Sequence, residues 1–216
     1  MRIALVNGSP KSGRSASEGI LNSLKNLLPE GDGIEEMHLR THHMGEEELE
    51  RLAGCDALVF AFPLYVDGVP SQLLSCMVKM EAFFKERSVN GIMVYAMVNS
   101  GFYEGKQNEN AIDHVKNWAL KSNLSWGTGL GIGGGGMLAS TTNVPDGQGP
   151  KKNYGEAMKV LAGRIVAGET GESLFISPNF PRFAYKLGAE MGWRQQIKAN
   201  GMKRKDLDKR ILSLTR

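Results

Sequence analysis

Cysteine is almost missing from this sequence, with only Cys55 and Cys76 among 216 residues. Two thiols cannot supply the four ligands of an iron–sulfur cluster, and one precedes a strand pattern while the other sits inside a helical one, so no disulfide is indicated. Histidine is also scarce, and the adjacent His42 and His43 lie in a polar stretch whose spacing suits no metal site. The G-x-x-x-x-G-K-[ST] order of a nucleoside-triphosphate loop is absent. No apolar run reaches the length of a membrane span, and no basic, apolar leader precedes the first strand pattern. The expectation is a cytoplasmic protein without a membrane span.

What is present is an alternation. Ile3 to Val6 form a near-continuous apolar run, which suits a parallel strand covered on both faces. Asn7 to Pro10 break it, and Ile20, Leu21, Leu24, Leu27 and Leu28 then recur at helical spacing. A second strand is read at Ile34 to Leu39, a short acidic helix at Glu46 to Leu52, and a buried third strand at Asp56 to Phe62. From Pro70, read as the first helical residue, Leu73, Leu74, Met77, Met80 and Phe84 line one helix face. Gly91 to Val98 is the fourth strand, Ile112, Val115 and Trp118 mark another helix, Gly129 to Ile132 a fifth strand, and Ala157 to Ile165 the last packed helix. With 41% apolar residues the chain can build one substantial α/β domain. The alternation predicts an open, doubly wound five-stranded parallel sheet, whose ligands bind at the carboxyl edge, after strands one, three and four.

The loop after the first strand opens a helix, so unpaired N–H groups and the positive end of the dipole meet there beside several serine hydroxyls. An ordinary serine-capped turn has the same look. The order Gly8, Ser9, Pro10, Lys11, Ser15 resembles the phosphate loop of the flavodoxin-like NAD(P)H-dependent FMN reductase and quinone reductase family, written G-S-P-[KR]-x-x-x-S. Two further loops carry the resemblance: Pro63-Leu64-Tyr65-Val66 before Pro70 is similar to the segment that lies beside the flavin ring, and Asn99-Ser100-Gly101-Phe102 falls where the family supplies the opposite wall. The resemblance covers approximately Met1 to Val98 and the loop beyond, and it implies the flavodoxin-like strand order 2-1-3-4-5. It implies that Ser9, Lys11, Ser15, Ala16 and Ser17 hold the FMN phosphate, that Pro63, Leu64, Tyr65, Val66, Asn99, Ser100, Gly101 and Phe102 hold the ring, and that NAD(P)H is the co-substrate. No catalytic acid or base and no metal are implied, because the flavin carries the chemistry.

Gly131-Ile132-Gly133-Gly134-Gly135-Gly136 satisfies G-x-G-x-x-G, with Glu156 downstream where a ribose-binding acid could be counted. The stretch from Ser140 to Gly149 is too rich in Thr, Pro and Gly to be the required helix, so the run is read as a strand end needing close backbone approach or a plain loop. Asn143 to Asn153 then reads as a mobile surface loop near the site.

The chain carries a net charge of +3. Acidic residues exceed basic ones up to residue 150, and the reverse holds beyond it. Residues 178 to 216 interleave Phe180, Phe183, Tyr185, Leu187, Met191 and Trp193 with Lys and Arg, and are similar to the C-terminal extension of clostridial-type flavodoxin-fold oxidoreductases. This divides the chain into a flavodoxin-like FMN-binding domain, 1–177, and a basic helical extension, 178–216. The helix from Pro70, with Met77, Met80, Phe83 and Phe84, carries more apolar bulk than one stripe needs, and the tail has no berth in a five-stranded core. Both are explained by a homodimer or higher homo-oligomer, with nucleic acid not expected as a partner. The function implied is hydride transfer from NAD(P)H through FMN to a quinone, flavin, nitro or azo compound or protein. A flavodoxin-type electron carrier and a cofactor-free regulatory protein are the alternatives.

Overall fold

The computed structural model describes residues 1–13, 15–31 and 33–206. The chain forms two compact units, Met1–Asn179 and Phe180–Arg216. The first runs β1 (Arg2–Asn7), α1 (Ala16–Lys25), β2 (Gly33–His38), α2 (Glu46–Ala53), β3 (Ala57–Pro63), α3 (Ser71–Glu86), β4 (Met93–Asn99), α4 (Glu109–Lys121), β5 (Ser125–Ile132), α5 (Gly135–Ser140), α6 (Lys152–Ala167) and β6 (Leu174–Ile176). Every paired strand is parallel, in the order β2-β1-β3-β4-β5-β6.

The apolar runs become strands with two buried faces, as strict alternation of side chains requires. In β3, Leu58, Phe60 and Phe62 join the core under α2, α3 and α4, while Ala57, Val59 and Ala61 join the core under α1 and α6. Trp118 of α4 closes the first of these cores, edge-on to Phe60 at 5.5 Å between ring centroids, and its indole N–H donates to the Met77 carbonyl at 2.8 Å. That bond satisfies a polar group which burial would otherwise penalise.

The sheet has six strands rather than five, and β5 begins at Ser125, four residues before the expected start. Leu174 to Ile176 is too short to show a period. It pairs with Leu130 to Ile132 because the outer edge of β5 would otherwise leave ladder groups unpaired. The second correction is α5, a short helix that takes in Gly135 and Gly136 of the run read as a strand end or a plain loop; irregular backbone then spans 141–148, and the loop expected over Asn143 to Asn153 gives way to a 3-10 turn at Gly149–Lys151 and to α6 from Lys152. The third concerns α3, whose supposed surplus lies mostly in the protein's own core. Met77, Met80 and Phe84 are buried, and Phe83 packs against the core beneath the Arg87 guanidinium. Its exposed large apolar residues are Leu74 and Val78. Pro70 takes the N-cap position, and Ser71 is the first helical residue.

Tyr95 of β4 is fully buried, and its hydroxyl donates to the carbonyls of Arg164 and Glu169 at the end of α6, both at 3.1 Å. Burial, reinforced by the Glu169 charge, pushes its pKa up to about 12. The unfolded phenol ionises near pH 10, so the stability this group adds is complete below about pH 10 and is lost as pH rises towards the folded value, by at most about 3 kcal/mol. Tyr95→Phe should be less stable at neutral pH and should show a smaller alkaline loss. Denaturant titrations between about pH 9 and 12 read both effects; an unchanged alkaline slope would assign the loss elsewhere.

The second unit, taken by itself, contains α7 (Arg182–Ala199), none of whose residues is buried. Phe183, Leu187 and Met191 follow one another at four-residue spacing along it, all exposed, as is Trp193. The expected basic surface beyond Arg194 is described only to Asp206, and 207–216 lie outside the described residues. Cys55 and Cys76 are free thiols, and burial pushes both pKa values up. Among the described residues no helix is long and apolar enough to cross a membrane.

Candidate functional site

The loop between β1 and α1 is fixed from three sides. The Gly8 amide donates to the Ala61 carbonyl at 2.8 Å, which extends the β1–β3 ladder, and Gln72 of α3 donates to the Gly8 carbonyl at 2.9 Å. A Cβ on Gly8 would meet Leu73 Cδ2 at 2.4 Å and Phe62 Cβ at 3.2 Å, so a larger residue would press the loop against the Leu73 side chain of α3. Ser9 is buried; its amide donates to Asn7 Oδ1 at 3.0 Å, and its hydroxyl oxygen accepts the Lys11 amide at 3.4 Å. The proton of that hydroxyl remains available to an anion.

Ser15 caps α1 in a capping box. Its Oγ accepts the Glu18 amide at 3.1 Å, and Glu18 Oε2 accepts the Ser15 amide at 3.4 Å. Helix geometry leaves the amides of Ala16 and Ser17 without an intrahelical acceptor. The Ser17 hydroxyl is committed, since it donates to Asn99 Oδ1 at 3.1 Å. Its side chain therefore ties the first turn of α1 to the end of β4, and its amide is what it can offer to a ligand.

The other two loops leave adjacent strands from paired positions, Pro63 opposite Asn99, and the Leu64 amide donates to the Asn99 carbonyl at 2.9 Å. Tyr65 and Gly68 exchange backbone hydrogen bonds of 3.1 and 3.0 Å around Val66 and Asp67, whose φ angles are +48° and +56°. Two central residues in the left-handed region make a tight turn that ordinarily favours Asn-Gly. A β-branched valine there costs on the order of 1–3 kcal/mol. The turn thus holds Val66 wholly in solvent and leaves Tyr65 49% exposed, while Phe102 on the neighbouring loop is 52% exposed.

Asn99 and Ser100 are buried between these loops. The Ser100 amide donates to the Ile132 carbonyl at 3.0 Å and its carbonyl accepts the Gly135 amide at 2.8 Å, yet its buried Oγ has no hydrogen-bond partner among the described residues. A buried, unpaired hydroxyl is a costly feature in a binding loop unless a ligand completes it.

The glycine run braces this wall. A Cβ on Gly133 would lie 2.1 Å from the Tyr103 carbonyl oxygen, and one on Gly131 would lie 2.6 Å from that of Gly105. The Gly134 amide donates to the Phe102 carbonyl at 2.6 Å. Close backbone approach is therefore the reason for the glycines, and Glu156 lies within α6 instead of at a strand end.

A cleft of about 850 Å³ opens beside the loop between β1 and α1, lined there by Lys11, Ser15 and Ala16 and across from them by Thr142, Val144 and Tyr154. None of the residues from Pro63 to Val66 or from Asn99 to Phe102 lines it. Sequence reasoning missed this cleft, along with Gln72 and Tyr154. Gln72 leaves a signal as the one polar residue in the stretch Gln72-Leu73-Leu74, whereas the cleft leaves none, because its walls come from segments far apart in the chain.

The donor set fits a flavin mononucleotide on two counts. A cation, two hydroxyls and two helix-end amides suit a dianionic phosphate, and an unpaired buried hydroxyl between exposed aromatics suits a polar-edged ring. No family model and no curated protein matches the sequence. Solved structures do match. NAD(P)H:quinone oxidoreductase from Methanothermobacter marburgensis is similar with a TM-score of 0.56 at 18% identity, over 76% of this chain and 96% of its own. The flavodoxin of Streptococcus pneumonia TIGR4 gives 0.54 at 12% identity over 78% and 99%. An FMN-dependent NADH-azoreductase from Bacillus anthracis, in complex with FMN, gives 0.50 at 14% identity over 76% and 99%. At these identities the likeness establishes the fold, and the fold is flavodoxin-like.

Proposed function

We propose that the protein is an FMN-dependent oxidoreductase: NAD(P)H gives a hydride to bound flavin, and the reduced flavin passes two electrons to a second acceptor, a quinone, flavin, nitro or azo compound or protein. When bound, FMN supplies both half-reactions, so the side chains bind and orient and need not act as acid or base. Ser9, Lys11, Ser15 and the amides of Ala16 and Ser17 hold the phosphate, and Pro63 to Val66 and Asn99 to Phe102 hold the ring.

The observation that carries this reading is the Ser17–Asn99 bond, which couples the phosphate loop to the ring loop beside the unpaired Ser100 hydroxyl. Likeness to a quinone oxidoreductase and an azoreductase supports an enzyme, as does a net charge of +3, since electron carriers on this fold are typically acidic. The visible absorption spectrum of the purified protein with added FMN is the test. A bound flavin spectrum that bleaches with NADPH and recovers with a quinone is expected. A flavin inert to NAD(P)H would instead make the protein a carrier, and failure to bind any flavin would make it a cofactor-free protein on the same fold.

The same reading extends to assembly. The exposed Phe183, Leu187 and Met191 stripe packs against a second copy, giving a homodimer or larger oligomer that covers the nicotinamide. Light scattering on the whole chain and on a chain ending at Asn179, a residue bonded to Pro150 and Gly149, should show loss of assembly on truncation. A monomeric intact protein would overturn this.

A further inference from the structure

We propose that His38, at the end of β2, is a positioning residue of the phosphate loop: its neutral imidazole holds Asn7, Asn7 holds Ser9 in place for the flavin phosphate, and protonation of His38 releases that hold. This rests on the flavin reading of the loop between β1 and α1, and adds to it a residue that acts through others.

Asn7 ends β1 opposite His38 in the register of β2 and is only 4% exposed. Its Oδ1 accepts the Ser9 amide at 3.0 Å, and its Nδ2 donates to His38 Nδ1 at 3.3 Å. The Ser9 hydroxyl oxygen in turn accepts the Lys11 amide at 3.4 Å. Three linked hydrogen bonds therefore run from β2, at the edge of the sheet, into two of the residues assigned to the phosphate.

The direction of each bond follows from the donors. A backbone N–H can only donate, so the Ser9 amide fixes Asn7 with its oxygen towards the loop and its NH2 group towards His38. Nδ1 of His38 is then the acceptor, which places the proton of the neutral ring on Nε2. An imidazolium carries a proton on both nitrogens and accepts nothing. Either its ring turns away and leaves the buried Asn7 amide short of a partner, or the amide turns over and sets its NH2 group against the Ser9 N–H. Both leave a buried polar group unpaired, and the turn at Ser9 loses its anchor.

The charged ring also has partners elsewhere. Leu5 and Asn7 of β1, Glu18 and Asn22 of α1, and Glu36 and His38 of β2 line one small cavity. The charged groups that share it with His38 are thus two carboxylates, with Lys25 of α1 beyond them as the ion-pair partner of Glu36. Glu18 accepts the Ser15 amide at 3.4 Å. A carboxylate has lone pairs for more than one donor, so both remain able to receive an imidazolium, and the exposed His38 ring can turn to them. Asn7 holds the neutral ring, the carboxylates draw the charged one, and the loop follows that choice.

Histidine ordinarily titrates between about pH 5 and 8, so flavin affinity should be full at the upper end of that range and fall as pH drops through it. The test titrates FMN into the flavin-free full chain by fluorescence quenching at about pH 8 and about pH 5.5, beside His38→Asn and His38→Leu. Asparagine puts an oxygen where Nδ1 stood, and that oxygen accepts at both pH values, whereas leucine offers no acceptor. A phosphate monoester takes up a proton near about pH 6, which weakens FMN binding in every chain alike, so the comparison between chains is what is read. The expected wild-type loss on acidification exceeds that of His38→Asn by about tenfold or more, and His38→Leu is about tenfold weaker than the wild type already at the higher pH. In the flavin-free wild type the Ser9 amide resonance should shift over the same range, and in His38→Asn it should not. Equal losses in the wild type and His38→Asn, or a wild-type Ser9 resonance that does not move, overturn the proposal while the flavin reading stands. Failure of every chain to bind FMN at either pH overturns the flavin reading, and this proposal with it.

Discussion

Replacing Ser9 and Ser15 together by alanine should lower FMN affinity by about two to four orders of magnitude. Each hydroxyl is assigned a hydrogen bond to a charged phosphate, worth about 1.5–3 kcal/mol, and every 1.4 kcal/mol or so is a factor of ten. The variant also loses the N-cap of α1, because Ser15 Oγ accepts the Glu18 amide, at a cost of about 1 kcal/mol of stability. Ser15→Asp separates the two roles. Aspartate caps a helix as well as serine does, but it sets a carboxylate against the phosphate, so this variant should melt near the wild type and still fail to bind FMN. Isothermal titration together with thermal unfolding reads both variants. Wild-type affinity in the double variant would remove the phosphate site from this loop.

Gly133→Ala should damage the protein in a different way, by destabilising the fold and opening the ring wall together. The new Cβ would lie 2.1 Å from the Tyr103 carbonyl oxygen, 2.8 Å from its carbon and 2.9 Å from the Gly105 nitrogen. All three are backbone atoms, so no side chain can turn aside to make room. The strand end must move, and with it go the bond from the Gly133 amide to Ile176 and the adjoining one from Gly134 to Phe102. Overpacking of this kind costs about 1–3 kcal/mol and can cost more, which for a chain of this size lowers Tm by roughly 2–4 °C per kcal/mol. Flavin affinity should fall at least tenfold, because the loop carrying Ser100 and Phe102 loses its brace. Gly136→Ala is the control, since its Cβ meets nothing within 4 Å and sits inside a helix, where alanine is favoured. If Gly133→Ala matches that control in Tm and in binding, the bracing role of the glycine run is wrong.

The strands were legible because burial on both faces forces a continuous apolar run, and such a run is local. Leu58 to Phe62 shows this, as neighbouring side chains enter opposite cores and all must be apolar. Once the parallel order followed from the alternation with helices, the loops after β1, β3 and β4 were bound to meet at one sheet edge. What the sequence by itself determined is therefore the parallel sheet and the three loops that gather at its carboxyl edge, with the order as far as β5 following from the family resemblance of those loops.

The tertiary structure decided the rest, for a physical reason common to each case: the deciding partner is remote in the chain. β6 exists because β5 has an edge to cover, a property of the finished sheet and not of the residues Leu174 to Ile176. The Ser17 hydroxyl is committed within the protein because Asn99, 82 positions later, accepts it. The core takes up Met77, Met80 and Phe84, which read as surplus only when α3 is considered alone. The cleft shared by Lys11 and Tyr154 arises where α1 and the segment before α6 face each other across a gap. Periodicity reports what a residue's neighbours in sequence require, whereas a cleft, a sheet edge or an unpaired hydroxyl such as that of Ser100 reports only what its neighbours in space have left unfilled.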